Sequence, residues 1–339
     1  MKRQTWRTGL NLVVVLLLVS AGVVCGRTPR VLYKSVFPVA PAKWLIQGKM
    51  IYLDDEDGTV ELKERTFGNF FSHRCKGFPL KIALGSDSWE TTTDSSGNFH
   101  VEAVASFAHP ASGALEFRFS TSQIATWADG LTWEGVASPS FLVISDVDDT
   151  VLVTEVTNRF KMLVKTFFRK PEQRGVVAGT PQVYEALVRG PASDSRGLLV
   201  FVSASPMYLA PQLEAFFKHQ KFPAATLILR EFGVKEKWED KDEELGDYKM
   251  KKITELMTRQ ASVPVILLGD SGERDPEIYT KIVAAFSGRV KCVVIRNVSG
   301  QDEFHERYAT LKKQVPLLVW KDPQQLLANL VEEKLITAP

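Results

Sequence analysis

The second half of the chain contains continuous apolar runs that alternate with stretches of helical periodicity, and this alternation constrains the fold most strongly. The runs predict buried strands at 141–144, 198–202, 265–268 and 292–295. The intervening stretches predict helices at 181–189, 208–219, 249–259 and 276–286. Uninterrupted apolar runs are typical of parallel strands that are covered on both faces. We therefore predict a doubly wound α/β sheet, in which ligands bind beyond the carboxyl ends of the strands.

The first half of the chain has a different pattern, because its apolar and polar residues alternate over short distances. Strands are predicted at 44–52, at 80–84, at 115–119 and after the polar turn at 93–98. Several short strands at this spacing favour a small β-sandwich. We assign the sandwich to 31–136 and the α/β domain to 141–330, with the linker between them at 136–140.

The composition fits a globular protein with two domains. The chain has 339 residues, of which 45% are hydrophobic and 24% are charged, and these values exclude a disordered or collagen-like chain. The formal net charge is +2. Nucleic-acid binding usually requires a strong basic excess, so we expect no nucleic-acid partner.

The N-terminus has the pattern of a secretory signal peptide. Basic residues precede an uncharged apolar run over 12–24, which is shorter than the roughly 18 residues that favour a spanning helix. We predict that residues 1–26 are removed and that the mature chain is exported to the periplasm or secreted. Removal of three basic side chains would change the net charge to −1. A retained membrane anchor and lipidation of Cys25 stay open, as does pairing of Cys75 with Cys292.

Carboxylates follow two of the predicted strands. The first strand is followed by SDVDDT at 145–150, and the third is followed by GDSGERDP at 269–276. Because the carboxyl ends of parallel strands meet at one edge of the sheet, these carboxylates would repel one another without a cation. Oxygen ligands of this kind suit Mg²⁺ together with a substrate phosphate. The sequence therefore predicts a Mg²⁺ site that acts on a phosphate ester.

These motifs resemble those of the actin-patch-associated phosphatidate phosphatases, a family of the haloacid dehalogenase superfamily. The segment DVDDT at 146–150 is similar to the superfamily's first motif, DxDxT. The segments that resemble the family itself are 145–154, 202–206, 222–223, 229–233 and 269–279. The resemblance covers about 140–300, and Glu231 departs from it because aspartate is expected there. It implies a haloacid dehalogenase-like doubly wound parallel sheet, preceded here by the small β-sandwich.

The resemblance also implies roles for individual residues. Asp146 would attack phosphorus and form an aspartyl-phosphate, and Asp148 would protonate the leaving group and then activate water. Ser203 and Lys249 would act in catalysis by binding the transferring phosphoryl group. The implied metal ligands are Asp146, Asp148, Asp270 and Asp275. Asp275 could instead position Lys249, and Ser205 could take the place of Ser203.

The segment 159–170 is a candidate for contact with the substrate. Its apolar residues have helical spacing, and Lys161, Lys165 and Arg169 form a basic stripe. Such a helix suits adsorption to an anionic lipid surface, which makes Lys161 and Lys165 substrate-binding candidates. A helix packed on the domain with a solvated basic face is the alternative.

Together, these observations predict a Mg²⁺-dependent phosphatase that hydrolyses phosphatidate to diacylglycerol and phosphate, with peripheral contact to an anionic membrane surface. One alternative is the same chemistry on a soluble or protein-borne phosphate ester. A second alternative is a non-catalytic module that binds a surface and holds an ion. A glycosyltransferase or a terpene cyclase is disfavoured, because neither class predicts the Gly269-Asp270 pair after a strand.

Overall fold

The structure, a computed structural model, describes residues 27–54, 74–106, 113–122, 124, 128–151, 175–231 and 242–338. The predicted signal peptide at 1–26 lies outside these described residues. The same holds for the amphipathic segment 159–170 with Lys161 and Lys165, so both stay predictions. Over the described ranges, no helix combines the length and apolar character needed to cross a bilayer.

The first half of the described chain consists of antiparallel strands. They are β1 (Arg27–Ala40), β2 (Lys43–Asp54), β3 (Pro79–Leu84), β4 (Asp87–Thr92), β5 (Asn98–Val104), β6 (Gly113–Ser120) and β7 (Ala128–Gly135). They form two sheets in the described residues, with the orders β1-β2-β5 and β4-β3-β6-β7. The sheets face each other, since the Trp44 ring packs edge-on against Phe117 and Trp133, at centroid distances of 5.9 and 5.0 Å. The antiparallel β structure predicted for this half is therefore confirmed.

The second half forms a parallel sheet, which is six-stranded in the described residues. Its strands are β8 (Phe141–Ser145), β9 (Gly197–Pro206), β10 (Ala225–Arg230), β11 (Val265–Asp270), β12 (Val290–Arg296) and β13 (Leu317–Trp320). Every residue of β8, β9 and β11 is buried, as their apolar runs predicted. The α/β class is thus confirmed, and β10 and β13 are strands beyond those predicted.

Helices connect these strands, and one more helix follows the last strand. They are α1 (Thr180–Arg189), α2 (Ala210–His219), α3 (Asp242–Arg259), α4 (Asp275–Ala285), α5 (Ala309–Gln314) and α6 (Pro323–Glu332). Proline lies in the first turn of α1, α2, α4 and α6, where its missing N–H costs no helical hydrogen bond. The predicted helices correspond to α1–α4. Helix α3 begins seven residues before the predicted start at 249, because its first turns are polar and lack apolar periodicity.

The strand order β10-β9-β8-β11-β12-β13 places β8 in the middle of the sheet. From β8 the chain passes to one side through β9 and β10, and then to the other side through β11, β12 and β13. The direction reverses between β8 and β11, which pair in parallel with Ser145 opposite Leu268. Such a reversal opens a crevice at the carboxyl ends of the strands, where doubly wound sheets bind ligands. Residues that follow β8 and end β11 therefore share this crevice.

The antiparallel sheets pack against the outer side of β10. The Tyr33 hydroxyl donates a hydrogen bond to the Leu227 carbonyl at 2.8 Å and accepts one from the Leu229 N–H at 3.4 Å. Thr226 of β10 also donates to the Val36 carbonyl at 2.7 Å. The two halves of the chain thus contact each other through buried backbone groups of β10.

Tyr33→Phe is expected to lower the free energy of unfolding by about 1–2 kcal/mol, because it leaves a buried carbonyl and a buried N–H unpaired. Urea unfolding would measure this loss. Tyr248→Phe is the control, because the Tyr248 hydroxyl makes no hydrogen bond to the described residues. It should leave the stability unchanged or raise it. Equal stabilities of wild type and Tyr33→Phe would show that these hydrogen bonds do not hold the two halves together.

Candidate functional site

Three buried carboxylates meet at the reversal of strand order. Asp146 directly follows β8, Asp270 ends β11, and Asp275 begins α4. One carboxylate oxygen of each lies within 4.8 Å of the other two, and each residue is at most 1% exposed. Burial of several carboxylates is costly unless positive charge compensates them. The structure therefore brings together three of the four predicted metal ligands in a place that demands a cation.

Lys249 of α3 supplies one positive charge to this group. Its Nζ lies 2.7 Å from Asp146 Oδ1, 2.7 Å from Glu273 Oε2 and 3.1 Å from Asp275 Oδ1. Burial alone would lower the pKa of Lys249. The charges of Asp146, Asp275 and Glu273 outweigh that effect and hold the pKa well above its usual value. Lys249 therefore stays protonated, and several carboxylates share its charge.

The carboxylates outnumber that cation. Burial is the largest cause that raises the pKa of Asp146, Asp270 and Asp275, and neighbouring carboxylates raise it further while Lys249 opposes them. Oδ2 of Asp270 is buried and has no hydrogen-bond partner in the described part of the chain. Excess negative charge and an unused carboxylate oxygen suit a hard cation such as Mg²⁺, so the residues present fit the metal that the sequence predicted.

Asp148 is outside this group of three and faces β9 instead. Its Oδ2 accepts hydrogen bonds from Ser203 Oγ at 3.0 Å and from Ser205 Oγ at 3.2 Å. Burial and the charge of Glu273 raise the pKa of Asp148 to about 7, against the effects of Lys249 and the two serines. A carboxyl group with this pKa can both give and take a proton near neutral pH. Both serines that the sequence offered as alternatives thus contact the same carboxylate, and metal binding by Asp148 stays a prediction.

The turn after β8 is held by one side chain within the turn and by another at the end of β12. Thr150 Oγ1 donates a hydrogen bond to Asp146 Oδ2 at 3.2 Å. Arg296, which ends β12, donates through Nη1 to the Asp149 carbonyl at 2.9 Å. Asp149 has a φ of 54°, a left-handed conformation that is uncommon for residues other than glycine. No role was predicted for Arg296 from the sequence, although it directly follows a predicted strand, where functional residues of such sheets lie.

Glu273 is a second site residue for which no role was predicted. It lies in the loop between β11 and α4, and its carboxylate contacts Lys249. The backbone N–H groups of Gly272 and Glu273 donate to Asp270 Oδ1 at 2.6 and 2.9 Å. The loop therefore orients Asp270 and supplies a further carboxylate to Lys249.

Gly269 allows the two acidic segments to approach each other closely. A Cβ atom at this position would lie 2.5 Å from Asp275 Oδ2 and 2.8 Å from the Tyr279 ring. Asp275 Oδ2 in turn accepts a hydrogen bond from the Asp270 N–H at 3.1 Å. Only glycine therefore leaves room for Asp275 to pack against the end of β11.

Comparison with known proteins finds a family whose model matches the region that contains this site. Residues 141–297 match the family model described as the catalytic domain of phosphatidate phosphatase APP1. An uncharacterized protein of Schizosaccharomyces pombe is 29% identical over 161 residues, which are 46% of this chain and 25% of that protein. Phosphatidate phosphatase APP1 of Saccharomyces cerevisiae is 25% identical over 255 residues, which are 69% of this chain and 40% of that protein. The chain thus spans less than half the length of these curated relatives.

Comparison with solved structures gives more distant similarities. A carbohydrate acetylesterase from Xanthomonas citri aligns with 80% of this chain and 68% of its own, at 7% identity and a TM-score of 0.31. A TM-score this low carries no information about fold or function. The family match over 141–297 is therefore the informative comparison.

Proposed function

We propose that the protein is a Mg²⁺-dependent phosphatase that hydrolyses phosphatidate to diacylglycerol and phosphate, and that residues 141–297, which match the model of the phosphatidate phosphatase APP1 catalytic domain, form its catalytic region. The observation that carries the proposal is the buried group of Asp146, Asp270 and Asp275 beside Lys249. A haloacid dehalogenase-like fold is part of the proposal, supported by DxDxT at the end of the central strand β8 and by the strand order.

Asp146 and Asp270 would hold Mg²⁺, with Asp275 next to them. Bound there, Mg²⁺ supplies positive charge that offsets the negative charge of the phosphoryl oxygens and of the carboxylates. The support for this assignment is the excess of buried carboxylates over the one lysine, together with the unpartnered Oδ2 of Asp270. The remaining chemistry belongs to side chains of the protein.

In the first step, an Asp146 carboxylate oxygen attacks phosphorus, and the bond between phosphorus and the diacylglycerol oxygen breaks. Asp148 gives its proton to that departing oxygen. Lys249 contacts Asp146 Oδ1, and its charge favours the ionised form of the attacking carboxylate against the effect of burial and also favours the approaching phosphoryl group. Ser203, near the carboxyl end of β9, would direct its one hydroxyl proton to that group instead of to Asp148, to which it donates in the structure.

In the second step, the Asp148 carboxylate takes a proton from water, and the resulting hydroxide attacks phosphorus of the aspartyl-phosphate. The bond between phosphorus and the Asp146 oxygen breaks, which releases phosphate and restores both carboxyl groups. Ser205, which donates to Asp148, would hold it in place for both proton transfers. The pKa of Asp148, which is raised to about 7, supports its role as both proton donor and proton acceptor.

The lipid substrate is proposed from the family match and from the amphipathic segment 159–170. Lys161 and Lys165 would contact an anionic membrane surface, and export through residues 1–26 would determine which membrane the protein meets. A soluble or protein-borne phosphomonoester is the second candidate substrate. The described site suits this soluble substrate as well as phosphatidate, because its contacts involve only the residues that would act on the phosphoryl group.

Phosphate release from vesicles of phosphatidate and phosphatidylcholine tests the proposal, with glycerol 3-phosphate as the soluble ester. We expect release from vesicles that requires Mg²⁺, stops in chelator and exceeds release from the soluble ester. Undiminished release in chelator would contradict the metal requirement. Release from glycerol 3-phosphate alone would contradict the lipid substrate and favour the second candidate.

A further inference from the structure

Arg307 holds the loop between β11 and α4 from outside the region that matches the family. It lies in the short 3-10 turn Glu306–Tyr308, which precedes α5. Its Nη1 donates to the Ser271 carbonyl at 2.5 Å, and its Nη2 donates to the Glu273 carbonyl. Nε and Nη2 also bind the two carboxylate oxygens of Glu277 at 2.6 and 2.7 Å. One guanidinium thus fixes two loop carbonyls and the first turn of α4.

The same loop determines the direction of the Asp270 carboxylate. The N–H groups of Gly272 and Glu273 bind Asp270 Oδ1, which leaves Oδ2 as the unpartnered oxygen described above. The amides of 272 and 273 and the carbonyls of 271 and 273 belong to one turn of backbone. A group that fixes the carbonyls therefore also fixes the amides that orient Asp270.

The segment after β12 holds the loop at a second point. Ser271 Oγ accepts hydrogen bonds from the N–H groups of Val298 and Ser299 at 2.9 and 3.0 Å. The loop also carries the Glu273 carboxylate, which lies 2.7 Å from Lys249 Nζ. Displacement of this loop would consequently disturb both Asp270 and the partner of Lys249.

We propose that Arg307 is a positioning residue for Mg²⁺ binding, which holds loop 270–275 so that Asp270 Oδ2 points to the cation and Glu273 to Lys249. This inference rests on the proposed function, because the cation is the one proposed there. The planar guanidinium matches two carbonyls and a bidentate carboxylate, whereas a lysine ammonium cannot reproduce that arrangement. Groups that orient metal ligands without touching the metal change metal affinity by roughly 10–100-fold when they are replaced.

The test compares Arg307→Met and Arg307→Lys with Arg289→Met in the full chain. Arg289 is a matched control, because its guanidinium donates to the carbonyls of Met257, Gln260 and Val263. These carbonyls lie before β11, at the end of the sheet opposite the carboxylates. The measured quantity is the Mg²⁺ concentration that raises Tm by a fixed amount, which scales with the dissociation constant of Mg²⁺.

We expect Arg307→Met to require roughly 10–100-fold more Mg²⁺ than wild type for the same rise in Tm. Arg307→Lys should also require more Mg²⁺, because lysine keeps the positive charge but lacks the planar guanidinium that donates to several oxygens. Arg289→Met should lower Tm in chelator without changing the Mg²⁺ requirement. In phosphate release, the Arg307 variants should need more Mg²⁺ for half-maximal rate, while the KM for phosphatidate at saturating Mg²⁺ stays unchanged.

An Arg307→Met protein with the Mg²⁺ requirement of wild type would overturn the inference. Should that variant fail to fold, Arg307→Lys decides in its place, since it retains charge and length. If Arg289→Met raised the Mg²⁺ requirement as much as Arg307→Met does, the change would reflect a general loss of stability. That result would also overturn the inference. A wild type whose Tm does not respond to Mg²⁺ would instead refute the proposed metal site, and this inference would fall with it.

Discussion

Asp146→Asn is expected to release phosphate roughly 10⁴-fold or more slowly than wild type, the scale seen when a nucleophile is removed. An amide cannot form the aspartyl-phosphate, and no other carboxylate directly follows β8. The fold should survive, because Lys249 keeps its contacts with Glu273 and Asp275. Loss of one buried negative charge also reduces repulsion within the group, so we expect a Tm close to that of wild type.

Phosphate release and Tm should be measured together for Asp146→Asn and for Asp129→Asn. Asp129 is a matched control, because it is a half-buried aspartate whose Oδ1 lies 2.9 Å from Lys34 Nζ in the antiparallel half. Asp129→Asn should retain activity. Acid-quenched wild type incubated with a ³²P-labelled ester should carry protein-bound label, and Asp146→Asn should carry none. Substantial activity or retained label in Asp146→Asn would refute the nucleophile assignment.

Lys249→Met is expected to lower the free energy of unfolding in chelator by about 3–5 kcal/mol, the usual cost of removing one partner of a buried ion pair. Lys249 is 3% exposed and is shared by Asp146, Glu273 and Asp275. Without it, these carboxylates either repel one another or take up protons. Because Mg²⁺ would replace part of the lost positive charge, it should stabilise Lys249→Met more than it stabilises wild type.

Urea unfolding with chelator or with Mg²⁺ measures this effect, and Lys252→Met is the control on the same helix. Lys252 is partly exposed and pairs with Glu255 at 3.3 Å, so its replacement should cost less than about 1 kcal/mol. The double variant Asp146→Asn/Lys249→Met should be more stable than Lys249→Met, because one uncompensated carboxylate is gone. Equal stabilities of Lys249→Met and Lys252→Met would contradict the shared-lysine arrangement.

The central part of the fold could be predicted from the sequence because its strands are buried on both faces. Continuous apolar runs mark β8, β9, β11 and β12 in the sequence, and exposed strands do not have such runs. Two of the strands that were not predicted, β13 and β4, lack this signal. β13 has four residues, mostly half-buried, and the residues of β4 alternate between half-buried and exposed without a fully buried one. Such edge strands depend on their neighbours for stability more than on their own composition.

Site residues could be predicted only where they lie in short sequence motifs next to a strand. The motifs after β8 and β11 led to Asp146 and Asp270, because parallel strands bring their carboxyl ends together. The contacts of Glu273, Arg296 and Arg307 depend on how loops turn after the strands end. Arg296 meets a carbonyl 147 positions earlier in the chain, and no spacing rule links such positions. The family resemblance supplied Lys249, Asp146 and Asp275, but not Glu273, which shares the same lysine.

The contact of Tyr33 with β10 bears on how the phosphatase region would behave alone. β10 lies at the edge of the parallel sheet, and the Leu227 carbonyl and Leu229 N–H bonded by Tyr33 face away from β9. An uncovered edge of this kind can add a strand from another molecule. A fragment that begins at Phe141 would expose it. The antiparallel half therefore protects the sheet from edge-to-edge aggregation.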